Sequence, residues 1–405
     1  MTDGRRIFFL NRFFHPDRSA TSQIVSDLAI TLAARGMDVR ALASRACYDD
    51  PARLYPPSEQ IAGVAVERLG AGSAGAGLAR RAAGYVALHA AMTRRLAQRA
   101  RRGDIVVVAT DPPLLSVSVA PVARMMGLTQ INWLQDLYPE VAAGLGVAGL
   151  GGAGFGAALK VARDASLRGA AMNVTIGALM RARVESLGVA PERTMVIHNW
   201  CDDEAIQPRS APQLRARWGL EGKFVVGYSG NLGRAHEYQT MLGAAEMLRN
   251  CEDIVFLFIG GGYLTEALKR DAAARGLSDR LVFQPHQDLA DLPQSLTAPD
   301  MHWLSLQPQM EGLIVPSKFY GVASAGRPVI AVSDGDGEVA RLVRLSGCGA
   351  VVEPGDSAGF AQAVLALRDD AALRAAQGRN GRALIEDAFG RARALAAWEK
   401  LLRAC

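Results

Sequence analysis

The chain has 405 residues, of which 50% are hydrophobic and 21% are charged, and its formal net charge is +5. This length exceeds what one hydrophobic core usually supports, so two domains are expected, and the composition is typical of a soluble globular protein with no nucleic-acid partner. Its five cysteines show no C-x-x-C spacing, which argues against a disulfide framework or a zinc site and predicts a reducing, cytoplasmic location.

The first half alternates short apolar runs with helical patterns. The start, MTDGRRIFFLNRFFHP, has the basic residues of a signal peptide, but Arg12 interrupts its apolar run at once, so a buried first strand is predicted. No long apolar stretch lacks dense glycine, and residues 144–162 are predicted to be a loop and a closely packed helix, with no membrane span. The predicted strands are 7–11, 39–43, 64–69, 104–110, 130–136, 172–176 and 194–199, and the predicted helices are 21–35, 78–102, 114–126 and 177–187.

One predicted helix is strongly basic. Residues 78–103 hold seven arginines and no acidic residue, while Tyr85, Leu88, Met92 and Leu96 share one helical face. Such a helix can lie on an anionic membrane surface, which would make the protein peripheral at the inner face of the cytoplasmic membrane. It can equally be a solvated helix whose apolar stripe packs on its own domain. Both interpretations stay open.

The second half repeats the strand–helix rhythm. A polar segment with two prolines, residues 200–212, separates the halves, so the predicted domains are 1–200 and 201–387, followed by a last helical segment at 388–405. Continuous apolar strands alternating with helices predict an α/β fold of two doubly wound parallel sheets, with ligands in a cleft at the strand ends. The predicted strands are 223–230, 254–260, 280–285, 301–306, 328–332 and 349–354.

A dinucleotide-binding fold is disfavoured. The pattern G-x-G-x-x-G occurs at Gly70/Gly72/Gly75 and at Gly144/Gly146/Gly149, but neither match follows the first strand of a domain. No acidic residue lies about 20 positions after the first match, as that fingerprint requires.

Three strand ends in the second half carry residues suited to phosphate binding. The first two are followed by glycine-rich loops, Ser229–Arg234 and Ile259–Gly262. Glycines let a backbone approach a phosphate closely, and helices predicted to begin near 236, 263 and 317 would add positive dipole ends.

The third loop is EGLIVPSKFYG, residues 311–321. Pro316 suits the first turn of a helix, so Ser317 and Lys318 are predicted at a helix N-terminus that attracts an anion. Lys318 adds a full positive charge, which suits a diphosphate. Glu311, in the preceding loop, could accept hydrogen bonds from sugar hydroxyls.

In sequence order, these motifs resemble those of the family 4 retaining glycosyltransferases with the GT-B fold, in a bacterial surface-polysaccharide branch. The matching stretches cover nearly the full length and are FFHPDRSATSQIVSDLAITLAARGMDV, NWLQDLYPEV, VIHNWCDD, VGYSGNLG, FLFIGGG, LVFQPHQDLADLP and EGLIVPSKFYGVASAGRPVIA. The resemblance implies transfer of a sugar from a nucleoside-diphosphate donor, most simply UDP-linked, to a lipid-linked or polysaccharide acceptor, with retention and without a metal or other cofactor.

The resemblance also implies roles for individual residues. Lys318, with Ser317, would bind the donor phosphates, and Glu311 would bind the donor sugar. Asp136 would contact the reacting sugar or the acceptor hydroxyl, and the last helix would cross back to the first domain. Further donor-binding positions would be Gly230, Asn231, Gly233, Arg234, Gly260, Gly261, Gln284 and Pro285, and the acceptor side would hold Ser19, Thr21 and Ser22.

The chain departs from the family pattern at several of these positions. Phe319 and Gly321 stand where relatives carry a glutamate, and Asn231 replaces the usual loop arginine. The usual Lys-Gly pair is replaced around His236, which leaves Arg234 and Lys318 as the predicted diphosphate cations. Two alternatives therefore stay open: a non-catalytic sugar-nucleotide-binding or assembly subunit, and a sugar-nucleotide epimerase or hydrolase of the same fold.

Overall fold

A computed structural model describes residues 4–50, 52–70, 78–147 and 154–405. The chain divides into two compact units. The first comprises Met1–His198, Gly312–Ile314 and Ala394–Cys405, and the second comprises Asn199–Glu311 and Val315–Arg393.

The first unit is built on an eight-stranded sheet with the order β3-β4-β2-β1-β5-β6-β7-β8. All neighbouring strands are parallel except β3, which is antiparallel to β4 at the edge. The strands are β1 (Arg6–Leu10), β2 (Asp38–Ser44), β3 (Ser58–Ile61), β4 (Val64–Leu69), β5 (Ile105–Ala109), β6 (Thr129–Leu134), β7 (Met172–Thr175) and β8 (Thr194–Val196). The sequence patterns missed β3, because its SEQI segment is short, polar and only partly buried.

In the described part of residues 4–198, six α-helices accompany this sheet. They are α1 (Ala20–Ala34), α2 (Leu78–Arg99), α3 (Leu115–Met126), α4 (Glu140–Gly144), α5 (Phe155–Gly169) and α6 (Ala178–Ser186), and a short 3-10 helix spans Pro191–Arg193. The glycines of the two dinucleotide-type patterns fall partly outside the described residues, at 72, 75 and 149.

The basic helix α2 uses its apolar face within the first unit. Leu88, Met92 and Leu96 are buried in a cluster with Phe8 and Val106 of the sheet. On the same helix, the Arg95 and Arg99 guanidinium groups lie 3.3 Å and 3.0 Å from the Glu67 carboxylate. The apolar stripe of α2 therefore packs in the core of its own unit, as the packing interpretation predicts.

The second unit is built on a six-stranded, fully parallel sheet with the order β11-β10-β9-β12-β13-β14. The strands are β9 (Phe224–Ser229), β10 (Ile254–Ile259), β11 (Leu281–Gln284), β12 (Met301–Ser305), β13 (Val329–Val332) and β14 (Gly349–Val352). The helices are α7 (Pro212–Arg217), α8 (Gln239–Met247), α9 (Thr265–Ala274), α10 (Leu292–Thr297), α11 (Lys318–Ser324), α12 (Glu338–Ser346), α13 (Ser357–Asp369) and α14 (Ala371–Leu384), with a 3-10 helix at Pro308–Met310 and a π-helical turn at Ile385–Phe389. The predicted fold class, two α/β units with parallel sheets, is confirmed.

The last helix, α15 (Arg391–Ala404), contributes most of its length to the first unit. Trp398 is fully buried there, and its ring lies 4.6 Å from that of Trp133 in β6, measured between centroids. This aromatic contact fixes the end of the chain against the first sheet.

Within the described ranges, we find no helix both long enough and apolar enough to cross a bilayer.

Candidate functional site

In the second unit, the sheet order defines where a ligand would bind. The chain runs from β9 to β10 on one side and from β12 to β13 on the other, so the direction of winding reverses between β9 and β12. In open parallel sheets, ligands bind outside the carboxyl ends of the strands at such a switch point. Gly230 follows β9 directly, and the chain after β12 leads to Glu311 and Lys318.

Lys318 lies at this switch point with an unusual set of neighbours. Its ammonium nitrogen is 2.7 Å from Nε2 of His236 and 5.2 Å from the centroid of the Tyr228 ring. A side chain at position 230 would come within 3.0 Å of the Lys318 Cε, so Gly230 makes room for the lysine. Among the described residues, no carboxylate pairs with Lys318.

The electrostatics of Lys318 favour binding of an anion. Burial lowers the pKa of the Lys318 ammonium from 10.5 to about 7. Burial, and then the neighbouring Lys318 charge, lower the pKa of His236 to about 3, so the imidazole is neutral and its Nε2 accepts the hydrogen bond from the lysine. A buried cation without a counter-charge is stabilised by an anion that enters its site.

The two glycine-rich loops meet beside Lys318. The Gly230 N–H donates to the Ile259 carbonyl at 2.8 Å, and the Gly260 N–H donates to the Gln284 carbonyl at 2.9 Å. Gly260 has a φ of +122°, and a Cβ there would lie 2.6 Å from the Gly230 carbonyl oxygen, so only glycine fits. A small pocket at these strand ends is lined by Tyr228, Gly230, Leu232, Phe258, Ile259, Gly260, Gly261 and Thr265.

The rest of the first loop is more exposed. The side chains of Asn231 and Arg234 are exposed, and the Arg234 guanidinium lies 5.2 Å from the centroid of the Tyr263 ring. Gly233 lies close to Asn231, whose amide nitrogen would be 3.3 Å from a Cβ at that position. Of the two predicted diphosphate cations, only Lys318 is enclosed by the loops.

The helix predicted near 317 begins at Lys318, as predicted, whereas those predicted near 236 and 263 begin two or three residues later, at Gln239 and Thr265. The helix predicted near 236 begins at Gln239, and its first turn is capped by Glu237, whose carboxylate accepts from the Thr240 N–H at 2.7 Å. The helix after Ser317 has only seven residues. Helix dipoles therefore contribute less positive potential at these loops than the sequence suggests, and the Lys318 charge contributes more of it.

Glu311 is linked to the N-terminus of α12. Its Oε2 accepts from the Glu338 N–H at 3.1 Å, and Gly337 leaves room for its other oxygen. Burial, with smaller effects from Asp334 and Glu338, raises the pKa of Glu311 to about 7. The predicted base-binding residues lie at the end of β11, where Gln284 is half-buried and Pro285 is exposed.

The predicted acceptor-side residues begin α1 of the first unit. Ser19 caps the helix, because its hydroxyl accepts from the Ser22 N–H at 3.2 Å. Thr21 is half-buried, with its hydroxyl 3.5 Å from that of Ser19, whereas Ser22 is fully buried. Ser19 therefore shapes the start of the helix through its hydroxyl and Ser22 through its backbone N–H, whereas the buried Ser22 hydroxyl has no hydrogen-bond partner in the described part of the chain.

Asp136 follows β6 of the same unit. Its backbone forms an isolated antiparallel bridge with Ile314. Burial, and then the charge of Asp111, raise the pKa of Asp136 to about 7. The pKa of Asp111 itself is raised to about 6 by burial, and Arg12 opposes that shift.

Sequence reasoning missed three residues near these groups: His236, His286 and Asp111. His236 stands 82 positions before its partner Lys318, so no local pattern links them. His286 would lie 3.0 Å from a Cβ at Gly260. Asp111 follows a predicted strand directly, and this was a usable signal. The described residues include no group of three or more His, Cys, Asp or Glu side chains that could hold a metal ion.

Two α/β units built on mainly parallel sheets, one with glycine loops and a half-buried lysine at its switch point, have the architecture of the GT-B fold. A family model described as "Glycosyl transferase 4-like domain" matches residues 19–200, and one described as "Glycosyl transferases group 1" matches residues 223–370. The chain belongs to this family of GT-B glycosyltransferases, of the family 4 type.

Individual relatives agree with this assignment. A protein of Pseudomonas aeruginosa named "Probable glycosyltransferase WbjE" is 29% identical over 274 residues, which cover 67% of each chain. The Anabaena protein HepE, in complex with UDP-glucose, has 16% identity and a TM-score of 0.75, over 99% of this chain and all of that one. WaaG, described as a glycosyltransferase involved in lipopolysaccharide biosynthesis, has 15% identity and a TM-score of 0.72 over 98% of each chain. These structural similarities confirm the predicted fold.

Proposed function

We propose that the protein transfers a sugar from a UDP-sugar, with retention of configuration, to a lipid-linked or polysaccharide acceptor in the synthesis of a cell-surface glycan. The observation that carries this proposal is Lys318, a half-buried lysine at the switch point of the second unit with no acidic partner among the described residues. A donor diphosphate supplies the missing negative charge.

The proposed chemistry is electrostatic stabilisation of a leaving group. As the bond to the sugar breaks, negative charge develops on the diphosphate, and a fixed cation with loop N–H groups stabilises it. Lys318 supplies the cation, and the loops Gly230–Arg234 and Gly260–Gly261 supply the N–H groups. The N–H groups of Gly230, Leu232 and Gly260 are excepted, because they already donate to backbone carbonyls. Because the lysine supplies this charge, we propose that no metal ion or other cofactor is required.

The remaining predicted residues complete the proposal. Glu311 binds the donor sugar, and Gln284 and Pro285 flank the base. Asp136 contacts the reacting sugar or the acceptor hydroxyl, beside Ser19, Thr21 and Ser22. Support for a UDP-linked donor comes from HepE, whose structures hold UDP and UDP-glucose, and support for a surface glycan comes from WaaG and its involvement in lipopolysaccharide biosynthesis.

A transfer assay tests the proposal. Labelled UDP-sugars are incubated with the protein and a bacterial membrane extract as acceptor, with and without EDTA, and the anomeric configuration of the product is read by NMR. We expect retained configuration, no loss of rate with EDTA, and loss of at least about a hundredfold in rate for Lys318→Ala. Lys269→Ala, an exposed lysine paired with Glu266, is the control. Equal rates in the two variants would refute the site.

The same assay separates the two alternatives. A non-catalytic binding subunit would bind UDP without any transfer, an outcome that the burial of Phe319 at a family glutamate position keeps open. An epimerase or hydrolase would consume the donor at full rate without the extract.

We also propose that α2 and the arginines after it contact an anionic membrane surface through charge alone, because the apolar face is occupied within the unit. Arg94, Arg101 and Arg102 are exposed. Binding to phosphatidylglycerol vesicles should exceed binding to phosphatidylcholine vesicles, fall with added salt, and disappear when these three arginines become glutamine. Equal binding to both kinds of vesicle would contradict the proposal.

A further inference from the structure

The first unit has its own switch point, and it carries charged side chains that the function above does not use. The chain runs from β1 to β2 on one side and from β5 to β6 on the other, so the winding reverses between β1 and β5. Arg12 follows β1 and Asp111 follows β5. The Arg12 N–H donates to the Asp111 carbonyl at 2.5 Å, which joins the two loops at the place where an open sheet binds its ligand.

Aromatic rings surround these groups. The Arg12 guanidinium donates to the Tyr85 hydroxyl at 3.2 Å and lies 4.6 Å from the centroid of the Phe13 ring. Tyr48 packs edge-on against Phe13 at 5.2 Å and is 45% exposed. Phe13 itself is buried, whereas the exposed Tyr48 and the half-buried Tyr85 offer aromatic surface beside polar groups, which is the combination that a sugar ring needs.

Two carboxyl groups lie along the same edge. Asp111 follows β5 and Asp136 follows β6, which is its parallel neighbour. Both residues are half-buried, so neither is fully enclosed in the core. Tyr138 lies two residues after Asp136. Burial raises the pKa of its hydroxyl most, and the charges of both carboxylates raise it further.

We propose that Asp111 is a second acceptor-binding carboxylate, which acts with Asp136, Arg12 and the surrounding tyrosines to bind an uncharged, hydroxyl-bearing sugar ring of the acceptor. The inference rests on the proposed transfer and names the acceptor class for it. Carboxylate oxygens accept hydrogen bonds from sugar hydroxyls. Two acidic groups against one guanidinium repel a phosphate or a uronate, and the Arg12 charge offsets part of the carboxylate charge that would attract an ammonium group.

The test measures binding of matched glycosides to the full chain. Saturation-transfer NMR is recorded with methyl glucoside, methyl glucosaminide and methyl glucuronide, without donor. We expect the strongest signal from the neutral glycoside, its loss in Asp111→Asn and Asp136→Asn, and no change in Asp38→Asn. Asp38 is an exposed residue at the start of β2, the opposite edge of the sheet. Preference for the amine or the uronate, an unchanged signal in Asp111→Asn, or no signal from any glycoside would overturn the inference.

Kinetics supply a second readout. In the transfer assay, Asp111→Asn should raise the extract concentration for half-maximal rate about tenfold or more, because a hydrogen bond to a charged group is lost, and change the donor KM less than about twofold. If Asp111→Asn raised the donor KM and left the extract concentration for half-maximal rate unchanged, Asp111 would have a structural role only. If the wild-type protein fails to bind UDP, the proposed function fails. If it binds UDP but the acceptor results do not appear, only this inference fails.

Discussion

At the scale of single residues, the contact between Lys318 and His236 sets the charge of the proposed anion site in the second unit. The imidazole is neutral and accepts one hydrogen bond from the ammonium, so it orients the lysine without cancelling its charge. The positive charge thus stays available for a diphosphate. An acidic residue at position 236 would instead neutralise it.

His236→Ala should weaken UDP binding about tenfold, because the lysine loses the hydrogen bond that holds it toward the loops. Isothermal titration with UDP measures this change. His236→Asn, whose amide oxygen can accept the same hydrogen bond, should recover part of the loss. If alanine and asparagine weaken binding equally, the imidazole does not act by orienting Lys318.

Asp136 should make the first unit less stable as pH rises. Its folded-state pKa, about 7, lies above the ordinary value of 3.8, so its stabilising protonation is complete below about pH 4 and is lost as pH rises through 7. Asp136→Asn should therefore gain about 1 to 2 kcal/mol in the free energy of unfolding at pH 8 relative to pH 4. Urea unfolding of both proteins at the two pH values measures this difference, and equal pH dependence would contradict it.

At the scale of elements, the glycine loops after β9 and β10 shape the proposed donor pocket through backbone contacts. Gly260 has a positive φ and also lies close to the Gly230 carbonyl. A side chain at this position would therefore be disfavoured both by backbone strain and by a steric clash. Gly276, after α9, shares the positive φ of +68° but faces open space.

Gly260→Ala should therefore displace the first loop and weaken UDP binding by at least about tenfold. Gly276→Ala should cost about 1 kcal/mol of stability from backbone strain alone and leave UDP binding unchanged. Calorimetric titration and thermal melting of both variants make the comparison. Equal loss of UDP affinity in the two variants would show that the loop contact is not needed.

The sequence patterns predicted the helices and strands well but predicted few of the contacts between side chains. Strands such as β5 and β10 were predictable because both faces are buried and their sequences are continuous apolar runs. The edge strand β3 carries no such run, and the late start of α8 depends on the Glu237 cap. Lys318 was identifiable from its Pro-Ser-Lys helix start, but the pairing with His236 requires the folded sheet, since the two residues follow different strands.

At the scale of the whole molecule, the chain crosses between its units more than once. Residues 312–314 and 394–405 belong to the first unit although the segments before them belong to the second. The stability of the first unit therefore depends on the last residues of the chain, and Trp398 is the main contact there.

Trp398→Ala should destabilise the first unit by about 3 to 5 kcal/mol, because it leaves a large cavity against Trp133. Phe155→Ala removes an aromatic side chain that is 70% exposed in the same unit and should cost much less. Thermal and urea unfolding measure both variants. Similar losses for the two would mean that the last helix contributes little to the first unit.

Lys318 is proposed to bind the donor diphosphate, and the pH dependence of UDP affinity tests this role most directly. In the free protein the Lys318 ammonium loses its proton as pH rises through about 7, so binding of the anion then requires uptake of a proton. Calorimetric titration of UDP from pH 6 to pH 9 should show the Kd of the wild-type protein rising by up to about tenfold per pH unit above 7. Lys318→Met should bind weakly at every pH, without that rise. Equal affinity and equal pH dependence in the two proteins would contradict the account.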